Sequence, residues 1–92
     1  RLIAIIISSK DRSLSLQGAR EIKLKLNKIN NLEVLGPVDS PLLKIKKNFR
    51  SRLLIRFNNR LFLQKKIAGV LNRLKISSKI KLTVDVDPIN FA

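Results

Sequence analysis

The chain opens on an almost unbroken apolar run, LIAIII at residues 2–7. Apolar residues without periodicity, most of them β-branched, predict a central strand buried on both faces. A polar stretch, residues 9–13, follows, with Asp11 and Ser13 as candidate helix N-caps. Over residues 13–29 two periods overlap. Ala19, Ile22, Leu26 and Ile29 recur at helical spacing, while Ile22, Leu24 and Leu26 alternate with Lys23 and Lys25 as in a strand. A length of about seventeen residues without Pro, ended by Asn30-Asn31, favours the helix.

Residues 32–37, LEVLGP, predict a short strand stopped by Gly36-Pro37, and residues 38–48 a long basic connection containing Pro41. Residues 48–59 predict a second hairpin arm, with Leu53, Ile55 and Phe57 on one face and Arg52, Leu54 and Arg56 on the other. Asn58-Asn59 then caps a helix over roughly residues 60–75, whose apolar stripe is Leu63, Ile67, Val70, Leu71 and Leu74. Residues 77–79 form a turn. Residues 80–86 alternate, with Ile80, Leu82, Val84 and Val86 inward and Lys81, Thr83 and Asp85 outward. The order β-α-β-β-α-β is the split, ferredoxin-like α+β pattern. It predicts one antiparallel-rich four-stranded sheet with two helices on one face, spanning residues 1–92 as a single domain.

Composition narrows the function. Neither Cys nor His occurs. That removes disulfides, zinc centres of the ordinary kind, and classical catalytic triads. The three glycines stand in no phosphate-loop spacing, so no nucleotide hydrolysis is recognisable. No apolar run approaches the roughly 20 residues of a membrane span. The opening run also lacks the small-residue cleavage site of a signal peptide. With no initiator Met and a start inside a strand, the chain is expected to be a piece of a longer protein.

Charge is the strongest compositional signal. Lys and Arg total 20 against 6 acids, a net +14. Thirteen of the cations lie between Asp39 and Asp85, with no acid among them. Such a chain attracts polyanions by releasing counterions from phosphates. The plainer alternative is a basic domain whose Ile, Lys and Asn reflect a biased genome.

Two clusters are candidate sites. Asp85 and Asp87 are separated by one residue just before Pro88, which ends the strand. Paired carboxylates serve metal binding or acid–base chemistry, but two at a strand end with no third ligand nearby predict outward-facing residues paired with basic neighbours. The second cluster is Lys44, Lys46, Lys47, Arg50, Arg52, Arg56 and Arg60. Seven cations without an acid make the best phosphate footprint, against the alternative of a charged edge that blocks aggregation. Base stacking on the open sheet face is not expected. The aromatics are four Phe, Phe57 should face inward, and no segment resembles the RNA-recognition aromatic motif.

The segments VLGPVDSPLLKIKKNFRSRLLIRFNNRLFLQ and LTVDVDPINF carry an ordered set of marks. VLGP (34–37) precedes Pro41, and FR (49–50) enters LLIR (53–56). Arg60 opens the second helix before LQ (63–64), and VDVDP (84–88) is followed by Phe91. In this order they resemble the C-terminal domain of the primosomal protein N′ (PriA) family of replication-restart helicases, over essentially the whole chain. The resemblance implies a bacterial cytoplasmic, nucleoid-associated parent, an ATP-dependent 3′-to-5′ DNA helicase that acts at stalled or branched forks and assembles the primosome. ATP, magnesium and zinc would belong to upstream domains of the parent. This fragment would be no enzyme and would hold no cofactor or metal.

The implied fold resembles a small-subunit ribosomal protein. The implied partners are forked DNA, the tail of single-stranded DNA-binding protein, other primosome proteins and the upstream helicase domains. DNA contacts would fall to Lys44, Lys46, Lys47, Arg50, Arg52 and Arg56, and the acidic tail to Arg60. Two departures stand out. Family members often have an aromatic where this chain has Ser51, which puts base stacking there in doubt. Asn58-Asn59 replaces the usual Pro-Ser before the second helix, and Asn remains a competent cap. The alternatives are an RNA- or ribosome-binding module and a purely structural domain that orients the helicase core.

Overall fold

In the computed structural model the described residues are 2–45, 48–58, 61–74 and 78–87, with the side chains of 39–45 and 61 outside that description. The elements are β1 (Leu2–Ser9), α1 (Arg12–Leu26), β2 (Leu32–Ile45), β3 (Asn48–Phe57), α2 (Leu61–Asn72) and β4 (Ile80–Val86). One four-stranded sheet has the order β2-β3-β1-β4, every pair antiparallel. The β-α-β-β-α-β order and the single sheet agree with the ferredoxin-like reading.

The overlap of periods in α1 resolves as a helix. Ala19, Ile22 and Leu26 are fully buried, while Leu24, which a strand would place beside Ile22, is 66% exposed. Asp11 caps the start, its side chain accepting from the Ser13 N–H at 2.8 Å. The helix ends at Leu26, so Ile29 packs on the core from the following turn. Leu63 and Ile67 of α2 are buried, and Val70, Leu71 and, just past the end of the helix at Asn72, Leu74 pack partly buried beside them. Asn59 and Arg60, expected to cap and open this helix, lie outside the described residues.

The core is one layer between the sheet and the helices. Ile3, Ile5 and Ile7 of β1 and Leu53, Ile55 and Phe57 of β3 meet Ala19, Ile22 and Leu26 of α1 and Leu63 and Ile67 of α2. Burying each branched side chain contributes about 1.5–3 kcal/mol. A polar contact sits within it. Ser15 and Ser51 are both fully buried, with hydroxyl oxygens 3.3 Å apart. Ser15 donates to the Arg12 carbonyl at 2.9 Å, which leaves Ser51 to donate to Ser15.

Three expectations need correction. First, Gly36-Pro37 does not stop β2, which continues to Ile45 through register shifts between Leu35 and Val38 and between Asp39 and Lys44. β2 is an edge strand, where a proline without an N–H is tolerated at a bulge. Gly36 is needed there. It has φ +104 and a cis bond to Pro37, and a Cβ would sit 2.7 Å from the Arg52 carbonyl oxygen. Lys23 reaches across from α1 and donates to the Gly36 carbonyl. Much of the expected basic connection is therefore strand.

Second, β1 is not buried on both faces. Its helix-side residues are sealed and Ala4 on the other face is buried too, but Leu2, Ile6 and Ser8 on that face are only half-buried, because both helices pack on one side. Third, Val84 and Val86 do share the helix-side parity, opposite Ile5 and Ile3, yet they are 45% and 48% exposed. The helical cover reaches Ile80 and Leu82 and leaves the second half of this edge strand open.

Candidate nucleic-acid interface

The face of the sheet away from the helices carries the arginines. Even-numbered positions of β3 point there, so Arg50, Arg52, Leu54 and Arg56 form one row. The register places Ser8 of β1 and then Lys81 of β4 beside Arg50. Beside Arg52 lie Val38 on one side and Ile6, then Thr83, on the other. Leu54 is flanked by Leu35 and Ala4, and beyond Ala4 by Asp85. Arg56 lies between Glu33 and Leu2. With strands about 4.8 Å apart, Arg50 and Lys81 stand two spacings, roughly 10 Å, from each other across Ser8.

This face is electrically lopsided. At one end Arg56 is committed to Glu33, its Nε and Nη2 donating to Oε2 at 3.0 and 2.5 Å. Asp85 and Asp87 lie at the same end. At the other end no described acid side chain stands directly opposite Arg50, Arg52 or Lys81; Asp39, next to Val38 on β2, is in register with Ser51. A depression of about 650 Å³ opens at this basic end, lined by Ser8, Lys10, Asn48, Ser78, Lys79 and Lys81 among others. Asp11 is the acid in its wall, and its carboxylate is occupied in capping α1. The basic end is the part of the face suited to phosphate oxygens.

The predicted cluster is thus only partly assembled. Arg50 and Arg52 share the basic end, while Arg56 lies on the same face but is paired. Lys44 is placed by its backbone, in register with Phe49 rather than with an arginine. Lys46, Lys47 and Arg60 lie outside the described residues. Lys81, Lys10 and Lys79 were missed. Lys81 was legible as an outward residue of β4, but its meeting with Arg50 across β1 needs the strand order.

The two C-terminal acids separate. Asp87 has φ 50, its N–H donates to the Leu2 carbonyl at 2.6 Å, and its Oδ1 accepts from the Leu2 N–H at 3.1 Å. It clips the end of β4 to the start of β1. Asp85 was expected to pair with a basic neighbour, but its cross-strand partner is Ala4, and the outward residues of β1 carry no charge. Among the described residues no group of three or more potential metal ligands occurs. Ser51, where an aromatic was considered, faces the core, so a side chain there cannot stack on a base from the open face.

Comparison with known proteins places the chain. The family model described as the primosomal protein N C-terminal domain matches residues 1–89. Proteins named replication restart protein PriA from Rickettsia conorii, Rickettsia felis and Rickettsia prowazekii are each 32% identical over 88 residues. Each match covers 96% of this chain and 13% of the relative's length. The designed protein Ferredog-Diesel aligns over 94% of this chain and 85% of its own, at 18% identity and a TM-score of 0.49. The chain belongs to the family of primosomal protein N C-terminal domains.

Proposed function

We propose that this member of the primosomal protein N C-terminal family is a nucleic-acid-binding accessory domain of a replication-restart helicase. Its basic sheet end would hold the phosphates of forked DNA. The observation that carries the reading is the basic end of the open face, where Arg50, Arg52 and Lys81 stand with no described acid side chain directly opposite them. Arg offers a rigid fork to phosphate oxygens, and each cation that meets a phosphate releases a counterion. The aliphatic residues on either side of Arg52, Ile6 and Val38, contribute contact area without sequence readout,. Binding of this kind positions a domain on DNA and leaves base identity unread.

Within the parent, the domain would bring the helicase to branched DNA and to the primosome. Arg60 is assigned to the carboxylates of the single-stranded DNA-binding protein tail, as a charge-assisted contact. The ATP, magnesium and zinc implied for the parent are assigned to its other domains, since this chain has neither Cys nor His for a zinc site and no phosphate loop for ATP,. No helix among the described residues is long and apolar enough to cross a membrane.

The test is a competition in which labelled forked DNA bound to the chain is challenged with unlabelled forked DNA or structured RNA of equal length. Forked DNA is expected to compete the better of the two. Preferential displacement by the RNA would contradict the reading and favour an RNA-binding module.

A further inference from the structure

The helix side of the molecule has a second concentration of unpaired positive charge. The end of α1 and the middle of α2 border two adjoining depressions of about 380 and 310 Å³, which share Ile29, Val70 and Arg73 in their walls. Lys25 at the end of α1 and Lys28 in the turn after it flank one side of this groove, and Lys65 and Lys66 of α2 with Arg73 just past its end flank the other. None of the five forms an ion pair with a described residue, and among the described residues no acid lines either depression. Lys66 lies 5.7 Å from the centre of the Phe62 ring, which leaves its charge in place. From Lys65 to Arg73 the cations run eight residues, about 12 Å, along the helix axis.

The floor of the groove contains Gly69. A glycine inside a helix costs roughly 1 kcal/mol relative to alanine. Packing does not require it, because a Cβ there would meet only the Arg73 guanidinium at 3.8 Å. What the missing side chain provides is a floor that a ligand can approach closely. The chemistry of the rim selects the ligand. Four of the five cations are lysines, which are depleted from protein–protein interface cores and serve phosphates as point charges. The described lining residues include no aromatic anchor of the sort that fixes a protein partner,.

We propose that this groove binds the phosphate backbone of a second nucleic-acid segment, so that one domain bridges two duplex arms, one on each side. The hydrophobic core lies between the two surfaces, so a straight duplex lying on one cannot reach the other. The bridging half of the proposal rests on the open-face reading above, whereas the groove's own affinity for phosphates does not.

The experiment uses the 92-residue chain and a blunt DNA duplex of about 12 base pairs, labelled in separate batches with an energy-transfer donor and acceptor. One variant carries Lys65→Gln, Lys66→Gln and Arg73→Gln; another carries Arg50→Gln, Arg52→Gln and Lys81→Gln. Circular dichroism confirms that each is folded. Wild type should bind two duplexes and give transfer between them. The helix-face variant should bind one duplex, with affinity for the second reduced about tenfold or more and transfer lost. Gly69→Leu should lose the second duplex while melting no lower than wild type.

A helix-face variant that still binds two duplexes with full transfer overturns the proposal. So does a groove that takes poly-glutamate in preference to duplex of equal charge. If the open-face variant binds like wild type while the helix-face variant loses its second duplex, the groove stands and the open-face reading fails.

Discussion

Along β3, odd and even positions lead separate lives. Ser51, Leu53, Ile55 and Phe57 face the helices and are buried, whereas Arg50, Arg52, Leu54 and Arg56 face away and are at least partly exposed. The first set is aliphatic or aromatic apart from one hydroxyl, bonded to Ser15. The second mixes guanidinium groups with a single leucine. One strand thus divides stability from recognition by a period of two. The difference teaches that charge on a sheet need not weaken a fold, provided it is confined to the face the helices leave open.

Substitutions should reproduce that division. The largest effect is expected at Ile55→Ala, which removes fully buried methyl groups and should cost about 2–5 kcal/mol in a denaturant melt. Leu54→Ala, the adjacent residue on the open face, should cost much less. Equal losses would show that the open face is packed as tightly as the core. Replacing Ser51 by Val should cost about 1–2 kcal/mol, since it leaves the Ser15 oxygen without its donor in a dry site. A more stable Ser51→Val variant would mean that the hydroxyl pair contributes nothing.

A smaller change is expected at Asp87→Ala, where the Leu2 N–H loses its acceptor at the open end of the β1–β4 pair. It should lower stability by about 1 kcal/mol and speed hydrogen exchange at the Leu2 amide more than at the Ile5 amide. Uniform acceleration across β1 would argue against a local clip. Smallest in stability is Glu33→Gln, because an exposed ion pair contributes about 0–1 kcal/mol. Its interest lies on the other side of the comparison. Freed from Glu33, Arg56 should join the phosphate contacts and steepen the salt dependence of DNA binding by up to about one counterion. An unchanged slope would restrict the binding surface to the basic end.

Much of this was legible in the chain. Alternation in β3 and β4, the 3-4-3 spacing in α1 and the stripe of α2 led to the element types and the topology. The same parity that buries Leu53 also buries Ser51, so that position's inward direction was readable too. What failed depended on neighbours. Gly36-Pro37 looked like a stop, but an edge strand has a free side on which a bulge and a proline are harmless. Val84 and Val86 have the right parity, yet parity does not say how far a helix extends over an edge strand.

The site divides in the same way. The outward direction of Arg50, Arg52 and Arg56 follows from alternation within one strand. The neutralisation of Arg56 by Glu33, the addition of Lys81, and the gathering of Lys25 and Lys28 with Lys65, Lys66 and Arg73 join residues far apart in sequence, which only the fold brings together.

The most direct test is the slope of log K against log salt for forked DNA, measured on wild type and on Arg50→Gln/Arg52→Gln. The double variant should keep its melting temperature, lose about tenfold in affinity, and show a slope shallower by about two counterions. An unchanged slope and affinity in a folded double variant would contradict the assignment of phosphate binding to the open face.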